Sequence, residues 1–116
     1  SGTIVTAGSD WPDSSLNPLE GIRGAVTRQL VEAANHSAWV PEQRVDLARM
    51  IAAYTIAGAY QSFTDRDSGS LEVGKWADFI VLDRNLFTMP AHEIHRARVL
   101  WTVFEGQEVF SAEDWK

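Results

Sequence analysis

The sequence predicts a mixed α/β fold in which one short strand precedes several helices and a small β-sheet ends the chain. Three observations support this prediction. An apolar, β-branched run lies at residues 3–7, apolar residues recur at helical spacing between 17 and 63, and strand-like segments with tight turns follow Gly69. The chain has 116 residues, which suits a small domain with a modest core. We place an internal boundary within residues 62–69, which divides the chain into 1–64 and 65–116.

The run at residues 3–7 (Thr-Ile-Val-Thr-Ala) predicts a buried strand that ends at Gly8. A buried strand needs neighbours to pair with, and no segment precedes this one. We therefore expect either that later strands flank it or that its neighbours belong to a longer chain. A polar loop, residues 8–15, follows it.

Three helices are predicted after this loop. Asn17 and Pro18 begin the first helix, because Asn is a favoured N-cap and Pro fits the first helical position. Asp46 is the expected cap of the second helix, and Thr55 begins the third. The residues expected to face inward are Leu19, Ile22, Val26 and Leu30, then Leu47, Met50, Ile51 and Tyr54, and finally Ile56, Ala59, Tyr60 and Phe63. Gly21 and Gly24 should weaken the first helix but allow another backbone to approach that face closely.

The last part of the chain predicts a small sheet. The expected strands are residues 70–73, 78–83 and 99–104, together with 108–110 as the returning arm of a hairpin. Glu105, Gly106 and Gln107 form the tight turn of that hairpin.

Composition excludes several classes of function. The net charge is −6, with 16 acidic and 10 basic residues, so the chain lacks the basic surface that nucleic-acid binding requires. It has no cysteine, which excludes disulfides and thiol nucleophiles. No apolar run approaches the ~20 residues that span a bilayer, and no signal peptide is visible. We expect a soluble, cytoplasmic protein without a membrane partner.

Asp10 is the leading candidate for a catalytic residue. It lies just after the C-terminal end of the predicted strand, where the catalytic groups of strand–helix barrels are found. A carboxylate there can ligate a divalent metal and accept a proton from water. The alternative is an aspartate that caps its own turn, since Asp readily accepts hydrogen bonds from nearby backbone N–H groups.

Two long motifs resemble one family. Residues 8–12 (Gly-Ser-Asp-Trp-Pro) with 14–22, and residues 69–83, are similar to the amidohydrolase superfamily, and most of all to its amidohydrolase-3 type. Residues 53–60 and 99–110 also fit, so the resemblance covers almost the whole chain. It implies the last strand and helices of a TIM-type barrel in 1–64, and part of a composite β-sandwich in 65–116.

The resemblance also implies a site. Asp10 corresponds to the aspartate that ligates the metal, activates the hydrolytic water and passes a proton to the leaving amine, and Trp11 would line the pocket mouth. The implied cofactor is a divalent metal, zinc by expectation. However, the family's other ligands have no counterpart among the three histidines here, and a catalytic zinc needs about three protein ligands. We therefore expect a C-terminal fragment that is inactive alone and binds no metal tightly. The extra carboxylate of Asp13 is unexplained.

The remaining polar and aromatic residues favour structural roles. His92 and His95 are three apart, whereas the histidines of zinc-protease helices are four apart, so we predict surface residues. His36 should lie in a loop, and Lys75 in a turn. Asp78 and Asp83 should cap turns. The tryptophans at positions 39, 76, 101 and 115 should fill the interface between helices and sheet.

Two functional hypotheses follow. The first is part of a hydrolase that cleaves carbon–nitrogen bonds of small amides, cyclic amides or N-acyl compounds. The second is a non-catalytic α/β module that serves as a scaffold or partner surface. In either case, unpaired edges predict a homo-oligomer or pairing with the missing part of the barrel.

Overall fold

A computed structural model describes residues 2–30 and 37–115, and it contains three helices and one sheet in that part of the chain. The α-helices are α1 (Pro18–Thr27), α2 (Leu47–Tyr54) and α3 (Ile56–Gln61). The strands are β1 (Phe79–Leu82), β2 (Val99–Phe104) and β3 (Gln107–Ser111). Two 3₁₀ turns lie at Pro41–Gln43 and Ala91–Arg96, and the second is called the 91–96 turn below. Among the described residues, none of the helices has the length and apolar character to cross a bilayer.

Helix α1 begins as predicted. The Asn17 side chain accepts a hydrogen bond from the main-chain N–H of Leu19 at 3.0 Å, and Pro18 occupies the first helical position. The helix ends at Thr27, because Arg28 adopts the left-handed conformation (φ 58°) and its N–H donates to the Gly24 carbonyl. The prediction that Leu30 faces inward is therefore wrong, because this residue lies beyond the end of the helix and is exposed.

Helices α2 and α3 are separated by a break at Thr55 (φ −127°, ψ −99°). The predicted cap of α2 is confirmed, since the Asp46 carboxylate accepts from the N–H of Arg49 at 2.9 Å. The Tyr54 side chain packs over Gly21 so closely that a Cβ at position 21 would overlap its hydroxyl, so a side chain makes the close approach instead of the expected backbone. Among the described residues, a Cβ at Gly24 would meet no atom within 4 Å. The prediction that Tyr60 and Phe63 face inward at the end of α3 is wrong. Tyr60 is exposed, and Phe63, which follows the helix with φ +59°, is 93% exposed.

Strands β1, β2 and β3 form an antiparallel sheet in that order. Phe79 pairs with Val103 across β1 and β2, and Phe104 pairs with Gln107 across the hairpin. Glu105 and Gly106 both have positive φ (49° and 76°), which is the type I′ geometry that matches strand twist. The predicted strands at 78–83 and 99–104 and the predicted hairpin are confirmed, except that Gln107 belongs to β3 and not to the turn.

Residues 70–73 do not form the predicted strand. The hydrogen bonds of this region stay local. The Lys75 ammonium, whose side chain is only 10% exposed, lies 2.7 Å from the Ser70 hydroxyl and 3.3 Å from the Glu72 carboxylate. The N–H of Trp76 donates to the carbonyl of Asp67. These contacts fold the segment into a compact loop, and the structural role predicted for Lys75 is confirmed.

Residues 3–7 form no strand among the described residues. A strand requires a ladder of backbone hydrogen bonds with a neighbour. Here the main-chain bond recorded for the segment joins the N–H of Ala7 to the carbonyl of Ala53 in α2, at 3.1 Å. Ile4 and Val5 are exposed, so the prediction of a buried strand within this chain is wrong.

Arg28 and Trp39 bracket the segment that follows α1. The N–H of Trp39 donates to the Arg28 carbonyl at 2.9 Å, and Arg28 Nε donates to the Trp39 carbonyl at 3.1 Å. The guanidinium also lies 4.8 Å from the centre of the Trp39 ring, within the range of a cation–π contact. Trp39 and Trp76 are exposed, so the prediction that they fill the helix–sheet interface is wrong.

The core lies between α1 and the 91–96 turn. It is a cluster of five buried apolar residues, namely Leu19, Ile22, Leu86, Ile94 and Ala97. Arg23 is buried beside them, with only 1% of its surface exposed. Its Nε donates to the carbonyl of His92 at 3.0 Å and its Nη1 to the carbonyl of Gln29 at 2.9 Å. This cation therefore joins α1 to the second half of the chain.

Replacing Arg23 with Met should lower the free energy of unfolding by about 3 kcal/mol. Met keeps an apolar stem but removes two hydrogen bonds from a charged donor, each worth ~1.5–3 kcal/mol, and leaves two carbonyls without that donor. Urea denaturation followed by circular dichroism measures the change. Arg66→Met, at an exposed arginine, is the matched control and should change stability by less than ~0.5 kcal/mol. Equal stabilities of the two variants would contradict the role of Arg23.

An ion-pair network holds the end of the chain against the sheet. The Asp83 carboxylate accepts from the Arg84 guanidinium at 2.8 and 3.0 Å and from the N–H of Arg98 at 2.9 Å. Arg98 Nη2 in turn donates to Asp114 at 2.7 Å. The bond from Arg84, and then the one from the N–H of Arg98, lowers the pKa of Asp83 from 3.8 to about 2. Nearby, the Trp115 ring stacks on Trp101.

This lowered pKa predicts a pH dependence of stability. As the pH falls below about 4, the Asp83 carboxyl of the unfolded chain takes up a proton before that of the folded chain does. The contribution of Asp83 is therefore complete above pH 3.8 and is lost as the pH falls through about 2. Chemical denaturation between pH 2 and 5 measures the free energy of unfolding, which should change less with pH in Asp83→Asn than in wild type. Asp67→Asn, at an exposed position, is the control and should show the wild-type pH dependence.

Candidate functional site

The loop around Asp10 is a tight turn that follows residues 3–7. Asp10 adopts the left-handed conformation (φ 52°), and the N–H of Asp13 donates to its carbonyl at 3.0 Å. The peptide between Trp11 and Pro12 is cis. Asp10 and Trp11 are exposed, the latter by 63%. The turn therefore presents both predicted site residues to solvent.

The turn is tied to α2 on one side and to α1 on the other. Upstream, the main-chain bond from Ala7 to Ala53 joins residues 3–7 to α2. Downstream, Asn17 caps α1 through its side chain, and its own N–H donates to the Ser15 hydroxyl at 3.1 Å. The Ser14 hydroxyl closes the base of the loop by donating to the carbonyl of Ser9. Residues 9–14 are thus a ring with Asp10 near its tip; this ring is called the Asp10 loop below.

The Asp10 carboxylate is available for chemistry. Within residues 2–30 and 37–115, it has no recorded hydrogen-bond or ion-pair partner, and the turn bond from Asp13 goes to the main-chain carbonyl instead. The carboxylate therefore does not cap the turn among these residues. An exposed carboxylate with free lone pairs can accept a proton or serve as one ligand of a cation.

The described residues do not by themselves fit a metal ion. Among them, no group of three or more His, Asp or Glu side chains is placed to hold a cation. Asp10 supplies a single carboxylate, whereas a catalytic zinc needs about three protein ligands. Any further ligands would come from outside this part of the chain.

Two cavities lie near the helices. The smaller one, of about 240 Å³, borders the Asp10 loop and α1, and its polar lining includes Ser9, Ser14, Asn17, Glu20 and Arg23. The larger one, of about 770 Å³, is a groove between α2, α3 and the start of β1. Asp10 lines neither of them. The Asp10 carboxylate is therefore outside both cavities.

The two described histidines are not brought to Asp10. They lie on the 91–96 turn, where His92 is exposed and 3.9 Å from the Glu93 carboxylate. His95 is only partly exposed, and its Nδ1 is buried without a partner among the described residues, which the prediction of a surface residue missed. His36 lies outside the described residues. Sequence reasoning also missed Ser14 and Arg23, because their partners are backbone carbonyls that no side-chain motif reveals.

Comparison with known proteins identifies the family. The amidohydrolase family model matches residues 1–110, and the chain therefore belongs to the amidohydrolase family, as the resemblance to the amidohydrolase-3 type predicted. Protein LONG AFTER FAR-RED 3 from Arabidopsis thaliana is 36% identical over 107 residues, which are 92% of this chain and 18% of that protein. N-substituted formamide deformylase from Arthrobacter pascens is 31% identical over 105 residues, 90% of this chain and 19% of that protein.

A solved structure supports the fold. An amidohydrolase from Thermotoga maritima MSB8 superposes with a TM-score of 0.51 at 20% identity, covering 96% of this chain and 30% of that one. The mixed α/β architecture is thus that of a portion of an amidohydrolase. The chain spans about a fifth of the length of the curated relatives it matches (18% and 19% of the two above).

Proposed function

We propose that these residues are the C-terminal portion of a larger hydrolase that cleaves carbon–nitrogen bonds of small amides, cyclic amides or N-acyl compounds. The family match over residues 1–110 and the short share of each relative that is covered support this proposal. The name of one relative, N-substituted formamide deformylase, describes removal of a formyl group from nitrogen. N-formyl compounds are therefore the first substrates to test.

Within that larger protein, residues 1–64 are the last strand and helices of a TIM-type barrel, and residues 65–116 contribute to a composite β-sandwich. The exposure of Ile4 and Val5 supports the barrel assignment, because a β-branched segment without a ladder is a strand that lacks its neighbours. The exposed apolar residues of β3, Val109 and Phe110, likewise support a sheet that is covered by further chain.

Asp10 is the general base of this reaction. The observation that carries the assignment is an exposed, unpartnered carboxylate on a backbone that is fixed on both sides. The carboxylate accepts a proton as a water oxygen attacks the amide carbonyl, and then donates that proton to the amine nitrogen as the carbon–nitrogen bond breaks. Trp11 lines the mouth of the pocket. Amidohydrolases are generally metal-dependent, and we propose a divalent cation, with zinc as the first candidate, held by Asp10 together with ligands outside this chain.

The test compares Asp10→Asn with wild type in the complete protein that carries residues 1–116. Amine release from N-butylformamide, followed by a panel of N-acyl and cyclic amides, measures kcat. Loss of a general base should lower kcat by ~10²–10⁴-fold. Asp13→Asn, which removes the neighbouring carboxylate of the same turn, is the matched control, and its kcat should stay within about threefold of the wild-type value. Comparable activity of Asp10→Asn and wild type would refute the assignment, and residues 1–116 alone should show no turnover.

The alternative is a non-catalytic scaffold module, which exposed apolar residues of the sheet favour. Such a module would use the exposed apolar residues of β3, Val109 and Phe110, which lie on opposite faces of the sheet, to bind a second copy or a protein partner. Calorimetric titration of the complete protein with zinc separates the two functions. Tight binding that Asp10→Asn weakens supports the hydrolase, whereas no binding, together with no hydrolysis across the panel, supports the scaffold.

A further inference from the structure

We propose that Ser14 is a positioning residue that fixes the orientation of Asp10, a proposal that rests on the hydrolytic function proposed above. The Ser14 hydroxyl donates to the carbonyl of Ser9, the residue immediately before Asp10. This bond spans the base of the Asp10 loop and joins the two ends of the turn that carries the carboxylate. Ser14 itself has no role in accepting or donating the transferred proton.

The geometry explains why Asp10 needs such support. Asp10 has positive φ, which costs a non-glycine residue free energy, although aspartate adopts it more readily than most. Its carboxylate has no partner among the described residues, so within them only the backbone of the turn restrains where the side chain projects. The bond from Asp13 to the Asp10 carbonyl closes the tip of the turn, and the bond from Ser14 closes the base. Two successive bonds across the same loop restrict the rotation of the Asp10 backbone.

The base of the loop is in turn connected to the core. Ser14 is followed by Ser15, whose hydroxyl accepts from the N–H of Asn17, and Asn17 caps α1. Helix α1 is held by the burial of Leu19 and Ile22. Three hydrogen bonds, linked by the peptide bond between Ser14 and Ser15, therefore connect the start of α1 to the residue before Asp10. Catalytic groups must be held within a fraction of an ångström of the productive geometry, and contacts of this kind provide that restraint.

Three variants of the complete protein test the proposal. Ser14→Ala removes the hydroxyl and should lower kcat for N-butylformamide about tenfold, with KM changed less than twofold. Ser14→Thr retains the hydroxyl and should restore kcat to within about twofold of wild type. Thr88→Ala is the control, because it removes a hydroxyl that donates to a main-chain carbonyl in an exposed turn after β1 and should leave kcat unchanged.

Hydrogen exchange gives a readout that does not depend on turnover. The Asp13 amide, which donates to the Asp10 carbonyl, should exchange about tenfold faster in Ser14→Ala and at the wild-type rate in Ser14→Thr. Unchanged exchange in Ser14→Ala, or faster exchange with unchanged kcat, would overturn the positioning role. If Asp10→Asn retains full kcat, the proposed base is wrong whatever Ser14 does, and a wild type without hydrolysis on the whole panel overturns both proposals.

Discussion

The buried guanidinium of Arg23 is the interaction on which the arrangement of the chain depends. A cation is stable in the interior only when its donors are matched, and here backbone carbonyls from two separate segments supply the acceptors. One acceptor belongs to His92, 69 positions along the chain. Because α1 also carries the cap that leads to the Asp10 loop, the contact that orients α1 against the 91–96 turn also sets the position of the candidate catalytic carboxylate.

Local signals in the sequence predicted the parts of the fold that local interactions determine. Asn17 and Asp46 cap their helices as expected, and the hairpin turn at Glu105 and Gly106 forms where two residues must take positive φ. Predictions failed where the answer depends on remote partners. Residues 3–7 have the composition of a strand but no ladder in the described part of the chain, and residues 70–73 are held by the Lys75 side chain instead.

The candidate site was likewise predicted only in part. Asp10 was predicted because its position after an apolar run and its motif resemble those of a family with known chemistry, and spacing alone left turn capping open. The structure shows an exposed, unpartnered carboxylate, but the other groups of a hydrolytic site do not lie beside it among the described residues. Ser14 and Arg23 could not be predicted, because a serine or arginine that bonds to backbone carbonyls leaves no pattern in the sequence.

The reciprocal contacts of Arg28 and Trp39 have a consequence for how this family can vary. Two hydrogen bonds to main-chain carbonyls and one cation–π contact hold Arg28 and Trp39 together. The chain therefore leaves α1 and returns towards α2 at one fixed point. The entropic cost of a longer closed loop grows only logarithmically with its length. Insertions that leave Gln29 in place, because its carbonyl holds Arg23, should therefore change the stability of the fold little.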